Sequence, residues 1–181
     1  MLRWTLMRSI FAALLCTAAL LAAAENSGRR APGFALPDSK MQVFDLADYR
    51  GKIVLLELLQ TSCAHCAAFA NVLERVQQKY GDKVAILAVV NSQSDNQNTV
   101  AQYISGHRIT YPVLFDAGQM AFSYLRSMRF DTPHVFLIDA GGTIRNDWEY
   151  GLVTRDIFEG NGLMAEIDSL LGGKASPQPK K

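Results

Sequence analysis

Apolar runs of strand length alternate along the chain with segments in which apolar residues recur at helical spacing. Nearly unbroken apolar runs predict buried strands at Ile53–Leu59 and Val84–Val90, and a shorter run predicts a strand at Val113–Phe115. Between the first two strands, residues 63–80 place apolar side chains on one helical face, and Gly81 is a suitable stop. The central part of the chain therefore begins as strand, helix, strand.

The second half of the chain predicts a hairpin and three more helices. Residues 135–138 and 143–148 are strand-like and flank the turn sequence Asp139-Ala140-Gly141-Gly142. Thr99 is placed to cap the first of the further helices, and Gly160 weakens the last. These predicted helices cover residues 99–105, 119–128 and 156–171. The order predicts an α/β fold with a central mixed β-sheet flanked by helices on both faces.

The first residues of the chain have the pattern of an export signal. Arg3 and Arg8 precede an apolar run over residues 10–23, and small residues then meet the polar Glu25. This predicts a cleavable secretory signal peptide at residues 1–24 and a periplasmic or otherwise exported protein. The apolar run of about 14 residues is shorter than the roughly 20 that span a bilayer, so a permanent membrane anchor is the minor alternative.

Removal of the signal peptide leaves one domain with polar ends. We expect residues 25–31 to be a flexible segment, residues 32–171 to form the domain and residues 172–181 to be a disordered tail. Cys16 follows Leu15, whereas a lipoprotein signal has a small residue at that point, so Cys16 is expected to leave with the signal peptide. The mature chain then keeps two cysteines.

Composition and charge exclude several classes of protein. With 49% hydrophobic and 19% charged residues over 181 positions, the chain has the composition of a globular protein. The mature part keeps 16 basic and 17 acidic residues, a formal net charge of −1. This nearly neutral charge does not predict binding to nucleic acid or to an anionic membrane. The sequence also has no glycine-rich phosphate loop. We expect a monomer without a bound cofactor or metal.

The remaining cysteines, Cys63 and Cys66, lie three residues apart where a predicted helix follows a strand. Cysteines at i and i+3 on a first helical turn share a face and can close a disulfide with little rearrangement. The free N–H groups and the dipole of the helix start favour a thiolate at the first position. Cys63 is therefore predicted to attack, and Cys66 to resolve the mixed disulfide. His65 can donate a hydrogen bond to the thiolate and stabilise the reduced pair.

Other uses of the cysteine pair fit the sequence less well. A disulfide that encloses so few residues would stabilise the fold little, and zinc would normally require four ligands. Haem attachment requires a histidine where Ala67 stands. A copper carrier or metallochaperone that uses the two thiolates with His65 or His134 is the remaining alternative, because thiolates and imidazole suit Cu(I). Copper retention without dithiol exchange would favour it.

Four stretches of the chain carry a family resemblance, and the last two are specific. They are Ala31-Pro32-Gly33-Phe34, the segment Leu46 to Leu56 with Gly51-Lys52, Cys63-Ala64-His65-Cys66, and Thr132-Pro133 before residues 135–139. Together they resemble the TlpA/ResA-type branch of the thioredoxin superfamily over nearly all of the mature chain. The resemblance implies a thioredoxin-like three-layer sandwich that exchanges disulfides with protein thiols or disulfides in the periplasm or at a membrane. It also implies a redox partner, membrane-bound in some relatives, and roles such as reduction of apocytochrome c thiols or maturation of copper centres.

The resemblance also implies roles for residues near the cysteines. Pro133 would be cis and face the disulfide, Thr132 would pair with the substrate backbone, and His134 would lie beside the site or point into solvent. Ser62 stands in the substrate-facing position where the family usually has an aromatic residue. The proline that the family usually has inside the four-residue motif is missing, and His65 is typical of DsbA-like oxidants. The direction of electron flow is therefore open.

Glu57 interrupts an apolar strand six positions before Cys63. Thioredoxins carry a buried acid at this place, behind the second cysteine, where burial disfavours the charged carboxylate. Two interpretations are open. Glu57 exchanges a proton with Cys66 during catalysis, or it reaches a lysine or the end of the sheet.

Two further classes of protein fit the sequence less well. Peroxiredoxins share the Ala-Pro-Gly-Phe opening, but their peroxidatic cysteine ends a Pro-x-x-x-Thr-x-x-Cys run, and Leu56 and Gln60 occupy the Pro and Thr positions here. A thioredoxin-like domain that only binds a partner would not need the intact cysteine pair and Thr132-Pro133. The predicted function is therefore that of a protein-disulfide oxidoreductase.

Overall fold

The computed structural model describes residues 27–91, 93–127 and 131–172. All of these residues belong to one compact unit, Asn26–Ser176. The predicted signal peptide, residues 1–24, lies outside the described residues, as do residues 173–181 of the predicted tail. No helix within the described ranges is both long and apolar enough to cross a membrane.

Strands and helices follow one another in the order that the hydrophobic pattern predicts, with an added hairpin at the start. The strands are β1 (Ala35–Pro37), β2 (Val43–Asp45), β3 (Ile53–Leu59), β4 (Val84–Val90), β5 (Val113–Phe115), β6 (His134–Ile138) and β7 (Ile144–Glu149). The helices are α1 (Ala64–Tyr80), α2 (Gln97–His107), α3 (Arg155–Glu159) and α4 (Asn161–Leu171). β1 and β2 form a separate two-stranded antiparallel hairpin.

The main sheet has five strands in the order β5-β4-β3-β6-β7. β3, β4 and β5 are parallel, whereas β6 is antiparallel to both β3 and β7. Every residue of β3 is buried, because this central strand is covered on both faces. The parallel pairing of β3 and β4 requires a crossover, and α1 provides it.

The sheet lies between two unequal layers. Helices α1 to α4 pack on one face, where Phe69 is among the buried side chains. A thinner layer covers the other face and includes Leu36 of the β1–β2 hairpin and Tyr124. Tyr124 belongs to a π-helical turn, Ala121–Leu125, which lies within the helix predicted at residues 119–128. The predicted α/β fold, a central mixed sheet flanked by helices, is confirmed.

The chain before β1 pairs with the β6–β7 hairpin. The backbone N–H of Gly28 donates to the carbonyl oxygen of Ile144 at 2.8 Å, and that of Ala31 donates to Gly142 at 2.9 Å. Ala31 is also buried in the core. Residues 28–31, which the sequence assigns to a flexible segment, therefore form part of the domain, because the hairpin offers backbone partners that the local sequence does not reveal.

Helix α2 begins before the predicted cap at Thr99. Asn96 is the N-cap, and its side-chain oxygen accepts hydrogen bonds from the backbone N–H groups of Asn98 at 2.9 Å and Thr99 at 3.2 Å. In return, Oγ1 of Thr99 accepts from the backbone N–H of Asn96 at 2.9 Å. The prediction of Thr99 as the cap was wrong, because the reciprocal pair satisfies more of the free N–H groups than Thr99 could alone.

The predicted closing helix is two helices, α3 and α4, which meet at Gly160. This glycine has a φ of 103°, where a residue with a side chain would be strained. A Cβ atom there would also lie 2.8 Å from Cγ1 of Val72 in α1. The break lets both Phe158 and Leu163 reach the core.

Candidate active site

Cys63 is the N-cap of α1, at the end of the loop that follows β3. Its backbone is extended, and its Sγ accepts a hydrogen bond from the backbone N–H of Cys66 at 3.1 Å. The N–H of Cys63 donates to the carbonyl oxygen of Gln60, also at 3.1 Å. The sulfur thus takes the place of the side-chain oxygen of a usual N-cap, where the helix dipole stabilises negative charge.

The two sulfurs differ in exposure. Cys66 is fully buried, whereas Cys63 is half-buried, and both are free thiols. Burial raises the pKa of the Cys66 thiol, and the charge of Glu57 and a hydrogen bond with Cys63 raise it further. A partner's sulfur can reach Cys63 but not Cys66, so the geometry suits attack by the first cysteine and resolution by the second.

The loop before β6 brings Thr132 and Pro133 to the cysteines. The Thr132–Pro133 peptide bond is cis. Sγ of Cys63 lies 3.4 Å from the carbonyl oxygen of Thr132, although 69 positions separate the two residues. The backbone N–H of Tyr150, just after β7, donates to the carbonyl oxygen of Pro133 at 3.1 Å. The loop is thereby fixed to the sheet beside the sulfur.

Glu57 lies in β3 on the face that packs against α1, with Ala88 and Val135 as its neighbours on the adjacent strands. It is fully buried, and neither carboxyl oxygen has a hydrogen-bond partner among the described residues. Burial, and then the charge of Cys63, raise the pKa of Glu57 to about 8. Near pH 7 the carboxyl is mostly protonated, and it can gain or lose a proton as the cysteines change state.

His65 and Ser62 are exposed on either side of Cys63. The imidazole of His65 stacks on the ring of Tyr150, with centroids 4.0 Å apart and an interplanar angle of 21°. Within the described part of the chain, no hydrogen bond joins this imidazole to the sulfur of Cys63. The structure therefore places His65 beside the pair but holds it through an aromatic contact.

His134 lies on the other face of the sheet from the cysteines. Its buried ring stacks on Phe136 with centroids 4.7 Å apart, and its Nε2 lies 3.0 Å from Oδ2 of Asp147. Because side chains alternate along a strand, the next residue, Val135, faces the cysteine side instead. The predicted placement of His134, beside the site or in solvent, was wrong for this reason.

Two contacts near the site involve residues that the sequence does not single out. The backbone N–H and Oγ1 of Thr61 both donate to Oδ1 of Asp95, at 3.2 and 2.5 Å, and so tie the loop before Cys63 to the loop after β4. The second contact is the stack of Tyr150 on His65. Neither has a signal in the sequence, because each joins segments that are far apart along the chain.

Comparison with known proteins agrees with this geometry. A model of the AhpC/TSA family matches residues 27–147. The chain belongs to the AhpC/TSA family. It is 29% identical to the thioredoxin-like protein YneN of Bacillus subtilis (strain 168), over 74% of this chain and 77% of that protein. It is 31% identical to the thiol-disulfide oxidoreductase ResA of Geobacillus kaustophilus (strain HTA426), over 65% of this chain and 66% of that protein.

Solved structures share the fold of this family member. The thioredoxin domain of a thiol-disulfide oxidoreductase from Bacteroides vulgatus has a TM-score of 0.64 at 19% identity, covering 78% of this chain and 96% of that one. A thiol:disulfide interchange protein from Bacteroides sp. has a TM-score of 0.65 at 18% identity, covering 81% and 91%. The predicted thioredoxin-like fold is therefore confirmed.

The described residues do not place a set of metal ligands around the cysteines. Across the described ranges, no group of three or more His, Cys, Asp or Glu side chains is placed to hold a metal ion. His134 faces away from the thiols and contacts Asp147 instead. The alternative of a copper carrier is not supported by this arrangement.

Proposed function

We propose that this family member reduces disulfides of exported proteins through Cys63 and Cys66. The family, together with relatives named thiol-disulfide oxidoreductase ResA, makes the chain a protein-disulfide oxidoreductase. One observation supports the proposed mechanism above all. The reachable sulfur of Cys63, at the start of α1, accepts the backbone N–H of Cys66, and the sulfur of Cys66 is itself fully buried. Export through the signal segment at residues 1–24 would place the pair where disulfides persist.

The reaction balances as two exchanges. The Cys63 thiolate attacks a partner's disulfide, forms a mixed disulfide and releases one partner sulfur as a thiolate. Cys66 then gives its proton to ionised Glu57, and its thiolate attacks the Cys63 sulfur. The Cys63–Cys66 bond forms, the second partner sulfur leaves as a thiolate, and two electrons have passed to the partner. In the reverse direction, Glu57 returns the proton.

Thr132 and Pro133 mark where the partner's backbone lies. The Thr132 carbonyl oxygen is 3.4 Å from the attacking sulfur, so a partner that brings its sulfur to Cys63 also reaches this loop. Ser62, exposed next to Cys63, belongs to the same surface. In this proposal, the three residues position the partner and do not transfer electrons or protons.

The proposed direction of electron flow is based on the hydrogen bonds that the attacking sulfur receives. A strong oxidant such as DsbA stabilises its reduced form. Here the Cys63 sulfur accepts the Cys66 N–H, and within the described residues His65 donates no hydrogen bond to it, since its ring stacks on Tyr150. We expect equilibration with glutathione buffers to give a potential nearer that of thioredoxin, about −270 mV, than that of DsbA, about −120 mV. A value near that of DsbA would reverse the assigned direction.

A peroxidase is a second candidate, because the matched family is described by the names AhpC and TSA and the opening Ala-Pro-Gly-Phe is shared with peroxiredoxins. The run that precedes a peroxidatic cysteine is not present, since Leu56 and Gln60 stand at its Pro and Thr positions. We expect the reduced protein to consume hydrogen peroxide no faster than a free dithiol does. Faster consumption would favour the peroxidase.

Single-cysteine variants test the exchange mechanism. We expect the reduced protein to reduce insulin disulfides, the Cys63→Ala variant to lose this activity, and the Cys66→Ala variant to form a stable mixed disulfide visible by mass spectrometry. Phe122→Ser, an exposed change in the π-helical turn, serves as the control for surface substitution. Retained activity in Cys63→Ala, or no trapped adduct in Cys66→Ala, would contradict the proposal.

A further inference from the structure

Two tyrosines have buried hydroxyl groups in the core between the sheet and the helices. Tyr103 belongs to α2, and Tyr111 lies in the loop that leads from α2 to β5. Neither hydroxyl oxygen has a hydrogen-bond partner among the described residues. A buried tyrosine hydroxyl usually has a partner, because an unsatisfied one costs free energy that phenylalanine would avoid. Packing alone therefore does not account for tyrosine at these two positions.

Strand pairing places Tyr111 near Glu57. In the sheet, Glu57 is opposite Ala88 on β4, and Ala88 is opposite Val113 on β5. The backbone N–H of Ala88 also donates to the carbonyl oxygen of Pro112 at 3.1 Å. Tyr111, one residue earlier, therefore enters the sheet at the level of Glu57 and packs in the core on the same face. The side chain between them on β4 is only the methyl group of Ala88.

Both tyrosines stay protonated and interact with the charge of Glu57. Burial, and then the charge of Glu57, raise the pKa of Tyr103 and of Tyr111. Each phenol therefore keeps one O–H group to donate. Glu74 is a second carboxylate near Tyr111, but it already accepts the backbone N–H of Thr110 at 2.6 Å and the hydroxyl of that residue at 3.0 Å. The acceptor that lacks donors is Glu57.

The other groups that face Glu57 do not stabilise its charge. From α1, the charge of Cys63 opposes ionisation of Glu57, and the charges of Glu57 and Cys66 oppose each other in the same way. The neighbours on the adjacent strands, Ala88 and Val135, are apolar. Neither carboxyl oxygen accepts a hydrogen bond from a described residue, whether cationic or neutral. An ionised Glu57 therefore needs donors, and the two tyrosine hydroxyls are suited to supply them.

We propose that Tyr103 and Tyr111 donate hydrogen bonds, through bridging water, to the carboxylate of Glu57 and so position the base that accepts the Cys66 proton. A buried water molecule makes about three hydrogen bonds to polar groups that have no other partner, and two hydroxyls and a carboxyl supply them. The tyrosines carry no electrons and remain protonated, while the proton passes from Cys66 to Glu57. The inference rests on the proposed exchange function and makes both tyrosines positioning residues.

Tyr111→Phe and Tyr103→Phe test this role, because each removes one hydroxyl and keeps the ring in the core. A chromogenic thiol is joined to Cys63 as a mixed disulfide, and stopped flow follows its release by Cys66 from pH 5 to pH 10. Hydrogen bonds to a carboxylate favour its charged form. We expect each variant to raise the midpoint of the rate profile by about one pH unit, which slows release about tenfold at pH 7. The plateau rate at high pH should be no lower than that of the wild type.

Tyr124→Phe is the matched control, because it also removes a buried tyrosine hydroxyl, which donates to the carbonyl oxygen of Pro32 at 2.7 Å on the other face of the sheet. It should lower the free energy of unfolding and leave the midpoint of the rate profile unchanged.

The outcomes separate the positioning role from the exchange function. Unchanged midpoints in both Tyr111→Phe and Tyr103→Phe, or an equal loss of rate at every pH, would overturn the positioning role while the wild type still releases the thiol. A Glu57→Gln variant that keeps the wild-type profile would also overturn it, because the tyrosines would then have no base to position. If the wild type releases no thiol at any pH, the exchange function itself fails.

Discussion

Glu57 lies in the middle of a strand whose other six residues are apolar. The small neighbour Ala88 leaves space at its side, but neither carboxyl oxygen has a partner among the described residues. With a pKa of about 8, the carboxyl is ionised in roughly one molecule in ten at pH 7. The buried Cys66 thiol, whose own pKa is raised, needs such a base before it can attack.

Replacement of Glu57 by Gln tests this role. We expect resolution of a preformed mixed disulfide at Cys63 to slow at least tenfold at pH 8, because Gln cannot accept the Cys66 proton. In the wild type, the resolution rate rises with pH up to about 8 and then levels, following the ionisation of Glu57. The Glu57→Gln variant should lack this dependence. Stopped-flow release of a chromogenic thiol from Cys63 measures the step.

Asp48→Asn is the matched control for this prediction, since it removes an exposed carboxyl from the 3₁₀ helix Leu46–Tyr49. Its resolution rate should follow the wild-type pH curve. If Glu57→Gln also follows that curve between pH 5 and 9, Glu57 is not the proton acceptor in the resolution step.

Three residues fix where helices of this protein begin or end. Cys63 begins α1 with its sulfur in the capping position, and Asn96 begins α2 with a capping box. Gly160 ends α3 and begins α4 in a left-handed conformation. Each of these residues sets the direction of the helix that follows it. A single substitution therefore tests how much each helix end contributes to stability.

Gly160→Ala should destabilise the fold by about 3 kcal/mol. The substitution puts a side chain at a φ of 103° and a Cβ atom 2.8 Å from Cγ1 of Val72. Gly106→Ala, inside α2, is the control, because an added Cβ atom there meets nothing within 4 Å. It should be neutral or stabilise by up to about 1 kcal/mol. Equal urea midpoints for the two variants would contradict this account of the break.

Asn96→Ala should lower the free energy of unfolding by about 1 kcal/mol. The change removes the oxygen that accepts the N–H groups of Asn98 and Thr99 at the start of α2. Asn98→Ala, at an exposed position in the first turn, retains the cap and should cost little. Chemical denaturation of the two variants compares them, and a larger loss for Asn98→Ala would show that the cap lies elsewhere.

Folding buries the carboxyl of Glu57, and burial disfavours its charged form. Because the pKa of Glu57 rises from 4.5 in the unfolded chain to about 8 in the folded protein, its contribution to stability is intact below pH 4.5. The contribution is lost progressively as pH rises from 4.5 to 8, where the unfolded chain ionises more readily than the folded one. Above pH 8 both states are ionised and the loss is constant.

The pH dependence of unfolding tests this linkage. Relative to Glu57→Gln, the wild type should lose about 3 kcal/mol of unfolding free energy between pH 4.5 and pH 7, from the pKa difference and 1.36 kcal/mol per unit. Denaturation at a series of pH values, with both proteins reduced, gives the difference directly. A difference that is flat across this range would mean that the folded Glu57 ionises near its ordinary pKa.

Local patterns were enough to predict much of the site. The apolar run of β3, the helical spacing after Cys63 and the i, i+3 spacing of the cysteines depend on residues close together in sequence, and each prediction agrees with the structure. The hairpin turn at Gly141 and Gly142 was predicted in the same way. The capping box at Asn96 is also local, but the sequence pattern predicted Thr99 as the cap, because both residues are of types that cap helices.

The sequence by itself determined the order of strands and helices and the position of both sulfurs on one helical turn, because hydrophobic period and residue spacing act over a few residues. Tertiary structure decided which side chains meet. It brought Thr132 to Cys63, stacked His65 on Tyr150 and turned His134 to the other face of the sheet. These outcomes depend on packing between segments distant in the chain, and no local pattern encodes that packing.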